Sequence, residues 1–158
     1  MRILGIDPGI GRVGWGIVEK KGSLVVSLGF GCIETLSNSE IGGRLYAIYD
    51  EVARIIDEYK PDAMAIEDLF FAKNVKTAFS VGQARGVIIL AASQKNLTVA
   101  IYTPLQVKSA IAGYGKADKK QIGDMVKMTL KLPKVPTPDD TADALAIALT
   151  HAFTHRYA

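Results

Sequence analysis

The stretch Arg2-Ile3-Leu4-Gly5-Ile6-Asp7-Pro8-Gly9 begins with an apolar run and ends in a carboxylate followed by two turn-forming residues. A short apolar run bounded by turn residues is typical of a buried β-strand. A carboxylate at the end of such a strand is costly to desolvate unless an opposite charge or hydrogen-bond donors compensate it. The stretch therefore predicts a central first strand that carries Asp7 to a functional edge of a sheet.

A second apolar run, Ala63-Met64-Ala65-Ile66-Glu67, ends in the same way. Either carboxylate alone is most simply a strand-end residue that faces water. Two apolar strands with the same ending are harder to explain separately, because ligand sites of open α/β sheets lie at the carboxyl ends of the strands. The pair favours one site that contains both Asp7 and Glu67.

The region before the last predicted helix reads Thr137-Pro138-Asp139-Asp140 and is followed by a further carboxylate at Asp143. With Thr137 as the N-cap and Pro138 as the first helical residue, Asp139 and Asp140 lie in the first turn. There, negative charge is favourable next to the helix dipole.

Asp143 has no such role, because it lies beside the apolar positions of the helix, in an alanine-rich segment. We therefore expect Asp143 to be functional. Residues three or four apart share a helix face, so either Asp140 or Asp139 is able to act together with Asp143. The spacing alone does not choose between these pairs.

Several carboxylates that converge on one site are most simply compensated by a hard divalent cation. Mg²⁺ takes oxygen ligands and commonly completes its coordination shell with substrate phosphates. The acidic residues therefore point to metal-assisted phosphodiester chemistry.

The composition sets limits on the class of protein. The chain has 158 residues, 49% of them hydrophobic, and a formal net charge of +3, which suits one α/β domain spanning residues 1–158. A single cysteine, Cys32, excludes an intrachain disulfide and predicts a reducing, cytoplasmic location. No apolar run approaches the length of a membrane span, and no signal peptide pattern is present at the N-terminus.

A basic stretch lies between Ile101 and Lys134, where only two aspartates accompany seven lysines: Lys108, Lys116, Lys119, Lys120, Lys127, Lys131 and Lys134. Clustered lysines are the expected footprint of binding to a phosphate backbone. A solvated helix face explains the same pattern about equally well.

The order of elements is predicted as βββαβαβ followed by helices. The first three strands are Ile3–Asp7, Val13–Glu19 and Leu24–Glu34, and the pattern from Leu45 to Tyr59 is that of an amphipathic helix. A strand ending at Glu67, a helix over 77–95 and a strand over 98–102 come next. Thr103 and Asp118 are predicted caps of two further helices, and the last helix buries Ala142, Leu145, Ala146, Leu149 and Phe153.

These segments, taken together, carry a family resemblance. The motifs are Leu4-Gly5-Ile6-Asp7-Pro8-Gly9, Ala65-Ile66-Glu67, Phe70-Phe71-Ala72-Lys73-Asn74, Gly82-Gln83-Ala84-Arg85-Gly86-Val87 and Asp140-Thr141-Ala142-Asp143-Ala144-Leu145-Ala146. In this order, over essentially the whole chain, they closely resemble the RuvC family of bacterial Holliday junction resolvases. The resemblance implies a ribonuclease-H-like mixed sheet flanked by helices.

The resemblance also implies a function and its residues. It implies a homodimeric endonuclease that needs Mg²⁺, with two ions per active site and Mn²⁺ as an alternative, and that nicks four-way junction DNA symmetrically in recombination and repair. RuvA and RuvB, the branch-migration proteins, are implied as further partners. The family's catalytic and metal-binding acids fall on Asp7, Glu67, Asp140 and Asp143. Its aromatic that stacks on an unpaired junction base falls on Phe70, and its basic residues near the scissile phosphate fall on Lys108 and Lys119. Lys73, Asn74 and Lys116 are expected to be further DNA-binding residues.

Two rival interpretations remain. The loop Asp7-Pro8-Gly9 is also similar to the phosphate loops of actin-like and Hsp70-like ATPases, which need two lobes of this general fold, whereas 158 residues supply one. As a phosphate loop it is a weak signal, because it leads into a strand rather than a helix and is equally a hairpin turn. A related ribonuclease-H-fold nuclease that acts on another structured nucleic acid is the second rival.

Overall fold

The computed structural model describes residues 1–68 and 75–155 of the chain. The strands are β1 (Arg2–Asp7), β2 (Arg12–Lys21), β3 (Leu24–Glu34), β4 (Ala63–Glu67) and β5 (Thr98–Tyr102). The helices are α1 (Ile41–Tyr59), α2 (Val75–Gln94), α3 (Pro104–Ala112), α4 (Lys119–Leu130) and α5 (Asp139–Thr154). The predicted βββαβαβ order and α/β class are confirmed.

The five strands form one mixed sheet in the order β3-β2-β1-β4-β5. The first three strands pair antiparallel, while β4 pairs parallel with β1 on one side and with β5 on the other. Strand β1 is therefore central, as its apolar sequence predicts, and its carboxyl end lies beside that of β4.

Both faces of the sheet are covered by helices, so the apolar residues of β1 and β4 divide between two cores. Leu4, Ile6 and Ile66 pack with α1 and α2 on one face. Ile3 and Ala65 face the other core, which α3, α4 and α5 complete. Because side chains alternate between the faces of a strand, Asp7 and Glu67 lie on the face covered by α3, α4 and α5.

Glycines in β1 and β2 allow α5 to lie directly on the sheet. A Cβ atom on Gly5 would overlap the carbonyl oxygen of Ala144, and one on Gly14 would overlap the carbonyl oxygen of Asp140. A Cβ atom on Gly16 would press against the side chain of Leu145. The close approach of helix to sheet thus depends on the absence of side chains at three strand positions.

The helix starts confirm some sequence predictions and correct others. Thr103 and Asp118 cap α3 and α4 with reciprocal side-chain hydrogen bonds, as predicted. The prediction of Thr137 as the cap of α5 was wrong, because Pro138 occupies the N-cap position and no side chain caps the helix. The prediction that Phe153 is buried was also wrong, since this residue is 46% exposed at the last turn of α5.

In the part of the chain that the structure describes, none of the helices has the length and apolar character needed to cross a membrane.

Candidate functional site

Asp7 and Glu67 lie at the same edge of the sheet. Ile6 of β1 is the register partner of Ile66 in β4, so the two carboxylates follow at equivalent positions of adjacent parallel strands. Both side chains border one cleft with a volume of about 420 Å³. The sequence prediction that these two acids share a site therefore agrees with their placement.

Helix α5 brings a third carboxylate into this cleft. Asp143 lines it, together with Ala146 and Ile147 of the next helical turn. The close packing of α5 on Gly5 and Gly14 sets how near Asp143 comes to Asp7, because a side chain at either strand position would lift the helix off the sheet. The acidic centre is thus built from the ends of two strands and the first turns of one helix.

Asp140 and Asp139 differ from Asp143 in their surroundings. Asp140 is half-buried, and its charge contributes to raising the pKa of Asp7, although its side chain does not line the cleft. Asp139 does not line the cleft either, and its side chain is 80% exposed to solvent. This difference favours Asp140 over Asp139 as the helical partner of Asp143.

The positive charge at this site comes from two lysines. Lys108 of α3 and Lys119 of α4 both line the cleft. Lys119 Nζ donates a hydrogen bond to Asp143 Oδ2 at 3.3 Å and lies 3.9 Å from Asp139 Oδ2. Of the seven lysines in the basic stretch, these two face the acidic centre, so the stretch is not simply a solvated helix face.

Burial and mutual repulsion perturb the acids of the cleft. The pKa of Asp7 is raised well above its ordinary value, first by desolvation and then by the charges of Asp143, Glu67 and Asp140. Burial also raises the pKa of Glu67 and of Asp143, while the nearby charge of Lys119 acts in the opposite direction. Raised pKa values in a cluster of carboxylates mean that the neighbouring positive charges do not fully neutralise the negative charge of the cluster.

The donor set fits a hard divalent cation, because it consists of carboxylate oxygens. Among residues 1–68 and 75–155, no three acidic, histidine or cysteine side chains are already close enough together to form a metal cage. Asp143 Oδ2 instead accepts a hydrogen bond from Lys119 Nζ. The residues therefore fit a divalent cation by the chemistry of their oxygen donors.

Comparison with known proteins identifies the family. The family model described as crossover junction endodeoxyribonuclease RuvC matches residues 3–151. The RuvC of Brevibacillus brevis is 55% identical over 152 residues, which cover 96% of this chain and 92% of that protein. The RuvC of Thermosipho melanesiensis is 53% identical, over 99% of this chain and 100% of that protein.

The fold agrees with these sequence matches. The structure of Thermus thermophilus RuvC in complex with a Holliday junction substrate has a TM-score of 0.92 and 39% sequence identity, and the alignment covers 97% of this chain and 93% of that one.

The chain belongs to the RuvC family of crossover junction endodeoxyribonucleases.

Membership of the RuvC family confirms the resemblance found in the sequence, together with the ribonuclease-H-like fold and the class of enzyme. It leaves the two-lobed ATPase interpretation without support. The structure also argues against a nucleophilic role for the one cysteine of the chain: Cys32 is half-buried in β3, and burial raises the pKa of its thiol. A raised pKa disfavours the thiolate that a nucleophile requires.

The DNA-binding residues predicted from the sequence are only partly described by the structure. Phe70, Lys73 and Asn74 lie outside the described residues. Lys116 is exposed just before α4 and does not line the cleft, in contrast to Lys108 and Lys119. The structure therefore brings two of the predicted lysines to the acidic centre.

Three residues near the centre of this RuvC-family protein were not predicted as part of it from the sequence. Arg85 of α2 lies with Nε 3.4 Å from the carbonyl oxygen of Glu67 and a terminal nitrogen 3.8 Å from Asp68 Oδ1. Tyr102 is the register partner of Glu67 in β5, and its hydroxyl lies 2.8 Å from His151 Nδ1. Only the Gln-Ala-Arg-Gly motif around Arg85 gave a sequence signal; the other contacts depend on strand register and helix packing.

Proposed function

We propose that this protein resolves four-way DNA junctions by paired, symmetric hydrolytic nicks, and that the cleft described above is its active site. The observation that carries the proposal is the presence of three half-buried carboxylates, Asp7, Glu67 and Asp143, and two lysines, Lys108 and Lys119, in one cleft. Carboxylates suit a divalent metal, and lysines suit the phosphate of a DNA strand. The fold match to a RuvC that was solved with its Holliday junction substrate supports the choice of substrate.

Asp7, Glu67, Asp140 and Asp143 are proposed to hold Mg²⁺, with two ions per site and Mn²⁺ as an alternative. Such ions lower the pKa of a water nucleophile and stabilise the charge on the leaving oxygen. Asp7, Glu67 and Asp143 border the cleft, whereas Asp140 supports the negative field from the first turn of α5. Together, these side chains supply the anionic charge that a divalent cation needs.

Lys108 and Lys119 are proposed to neutralise charge on the phosphate that is cut. Their ammonium groups are able to donate hydrogen bonds to non-bridging oxygens, where negative charge builds up as the bond to the leaving group breaks. Lys119 already contacts Asp143, so phosphate binding would exchange one anionic partner for another. Lys116 is proposed to contact the DNA backbone outside the cleft.

Phe70 is proposed to stack on an unpaired base at the junction, with Lys73 and Asn74 contacting the adjacent strand. This proposal rests on the sequence alone. Phe70 follows Glu67 by only three residues, so an aromatic ring on this segment is near the acidic centre along the chain. Stacking of a base on an aromatic side chain contributes about 1–3 kcal/mol.

A homodimer is the proposed acting form, because a four-way junction has two-fold symmetry and paired nicks require two equivalent sites. The branch-migration proteins RuvA and RuvB are proposed partners, and the cytoplasm, where bacterial DNA lies, is the proposed location.

The test is cleavage of synthetic four-way junction, linear duplex and RNA–DNA hybrid of matched sequence, each with and without Mg²⁺. Symmetric nicks in the junction alone, only with Mg²⁺, are expected. Preferential cleavage of the hybrid or of another structure would instead favour a related ribonuclease-H-fold nuclease with a different substrate. Sedimentation of a monomer with junction DNA bound would contradict the dimer.

A further inference from the structure

Tyr102 connects two elements that carry acids of the active site. Its backbone lies opposite Glu67 in the parallel pairing of β4 with β5, and its carbonyl oxygen accepts a hydrogen bond from the amide of Asp68 at 2.8 Å. Its hydroxyl lies 2.8 Å from Nδ1 of His151 on α5, the helix that also carries Asp143. A single residue therefore contacts the end of the Glu67 strand through its backbone and the Asp143 helix through its side chain.

The contact between Tyr102 and His151 is well sheltered. His151 is only 3% exposed, and its ring meets that of Tyr102 edge-on, with 5.8 Å between the centroids. Burial and the charge of His155 lower the pKa of His151 to about 4, so the ring is neutral at physiological pH. A neutral imidazole forms one hydrogen bond as donor and one as acceptor, so this contact persists without a change of charge.

The way in which α5 packs explains why such a contact matters. The helix rests on Gly5 and Gly14, and its large apolar side chains, among them Leu145 and Leu149, are fully buried in the core on this face of the sheet. This apolar packing holds the helix as a whole against the sheet. The hydrogen bond between Tyr102 and His151 adds a directional contact to it, because a hydrogen bond restricts both the distance and the angle between its partners.

We infer that the Tyr102–His151 pair positions Asp143 relative to Glu67, and that it thereby sets the affinity of the acidic centre for its divalent metal. This inference rests on the proposed function in taking that centre as the metal site. Neither residue touches the cleft, so both are positioning residues rather than catalytic ones. Partners of this kind, outside the ligands themselves, typically alter metal affinity or activity by about 10–100-fold.

The test uses Tyr102→Phe, which keeps the ring and removes the hydroxyl. Binding of Mn²⁺ to the full-length protein without DNA is followed by electron paramagnetic resonance, and the Mn²⁺ concentration for half-maximal junction cleavage is measured in parallel. The dissociation constant for Mn²⁺ and the Mn²⁺ concentration for half-maximal cleavage are both expected to rise about tenfold. This is the low end of the range for residues that contact the ligands of a metal site rather than the metal. Junction binding in a gel-shift assay is expected to stay at the wild-type level.

Two further variants separate positioning from general stability. His151→Asn keeps a hydrogen-bonding group near the place of Nδ1 and is expected to retain most of the Mn²⁺ affinity. His151→Leu is expected to lower this affinity in the same direction as Tyr102→Phe, which in addition removes the acceptor of a hydrogen bond from Thr154 Oγ1. The matched control is Thr150→Val, which removes a buried hydroxyl of α5 whose hydrogen bond, to the carbonyl oxygen of Ala146, stays within the helix. This control is expected to leave the Mn²⁺ affinity unchanged, whatever its effect on the melting temperature.

Wild-type Mn²⁺ affinity in Tyr102→Phe, or an equal loss in Thr150→Val, would overturn the inference. A wild-type protein that binds Mn²⁺ but cuts no junction would refute the proposed function, while the resonance titration would still decide the role of Tyr102. A wild-type protein that binds no Mn²⁺ at all would refute both.

Discussion

Lys119 Nζ lies 3.3 Å from Asp143 Oδ2, so the acidic centre contains its own countercharge. The charge of Asp143 is the main reason that the pKa of Lys119 is raised, and Lys119 in turn acts to lower the pKa values of Asp7 and Glu67. The lysine therefore partly compensates three carboxylates at once. A divalent cation at the acids and a phosphate at the lysine would together replace this internal ion pair.

Replacement of Lys119 by alanine is expected to lower the rate of junction cleavage by about 100-fold or more, the usual effect of removing a donor that stabilises transition-state charge. It is also expected to reduce the slope of log K against log salt concentration by about 0.9, because one phosphate contact is lost. The measurements are single-turnover cleavage and gel-shift titrations at several salt concentrations.

The control for this prediction is Lys120→Ala. Lys120 is adjacent in sequence but exposed, and its ammonium group pairs with Asp124 at 2.9 Å instead of facing the cleft. Its replacement is expected to leave the cleavage rate near the wild-type value. Similar losses in the two variants would mean that general positive charge, not the position of Lys119, is what matters.

Asp7→Asn is expected to abolish cleavage while junction binding stays largely intact. The substitution removes the most buried charge of the acidic centre without changing the shape of the side chain, and DNA affinity comes mainly from basic residues. Nicking and gel-shift assays on the same junction check this separation. A loss of binding as large as the loss of cleavage would contradict it.

The same variant is expected to unfold at a higher temperature than the wild type in EDTA at neutral pH. An acid whose folded-state pKa is raised favours the folded protein while it is protonated, and this contribution is lost as pH rises from the ordinary pKa through the raised one. The advantage of Asp7→Asn should therefore grow with pH across that window. For a domain of this size, about 1 kcal/mol corresponds to about 2–4 °C.

In the presence of Mg²⁺ the wild type should have the higher melting temperature of the two proteins, because a ligand stabilises only the protein that binds it. Thermal unfolding with and without Mg²⁺ at several pH values measures both effects. Asp124→Asn is the control, since this aspartate is half exposed and paired with Lys120, and no gain is expected from it. If Asp7→Asn melts at a lower temperature than the wild type in EDTA at neutral pH, the charge of Asp7 does not destabilise the folded protein.

Gly14→Ala is expected to destabilise the protein by about 1–3 kcal/mol or more, the range for overpacking a close contact. The new methyl group would overlap the carbonyl oxygen of Asp140, and α5 would have to move. The contrast is Gly42→Ala in α1, where a Cβ atom meets nothing within 4 Å. That replacement is expected to be neutral or stabilising, because alanine has the higher helix propensity. Urea unfolding of both variants gives the comparison, and equal stabilities would show that the helix tolerates a side chain beneath it.

Phe70→Ala is expected to slow cleavage of the junction without affecting the fold. Loss of one stacked base would cost about 1–3 kcal/mol in the productive complex. Cleavage rates at saturating protein, with Phe71→Ala as the neighbouring control, measure the effect. Cleavage by Phe70→Ala at the wild-type rate would exclude the stacking role.

The residues whose roles were most accurately predicted are those with strong local signals. The apolar run before Asp7 and the one before Glu67 both form central strands, because burial on two faces demands such a composition. Thr103 and Asp118 cap their helices through bonds to residues three positions away. Interactions between residues only three positions apart can be predicted from the local sequence.

The start of α5 shows where local signals fail. Thr137 and Asp140 have the spacing of a capping box, yet Pro138 holds the cap position and the backbone of Asp140 packs against Gly14. Phe153 follows the apolar spacing of α5 but is 46% exposed in the last turn of the helix. Both outcomes depend on how the helix packs in the fold, which no local window of sequence contains.

The sequence by itself determined the mixed α/β fold and the family, and it predicted which acids form the site, because composition, period and motif order are properties of the chain. Only the tertiary structure decided that Asp143 lies beside Asp7 while Asp139 faces solvent, that two of the seven lysines face the acids, and that Tyr102 joins the Glu67 strand to α5. These facts depend on distances between residues that are far apart in sequence. The register of the strands and the packing of α5 on Gly5 and Gly14 set those distances.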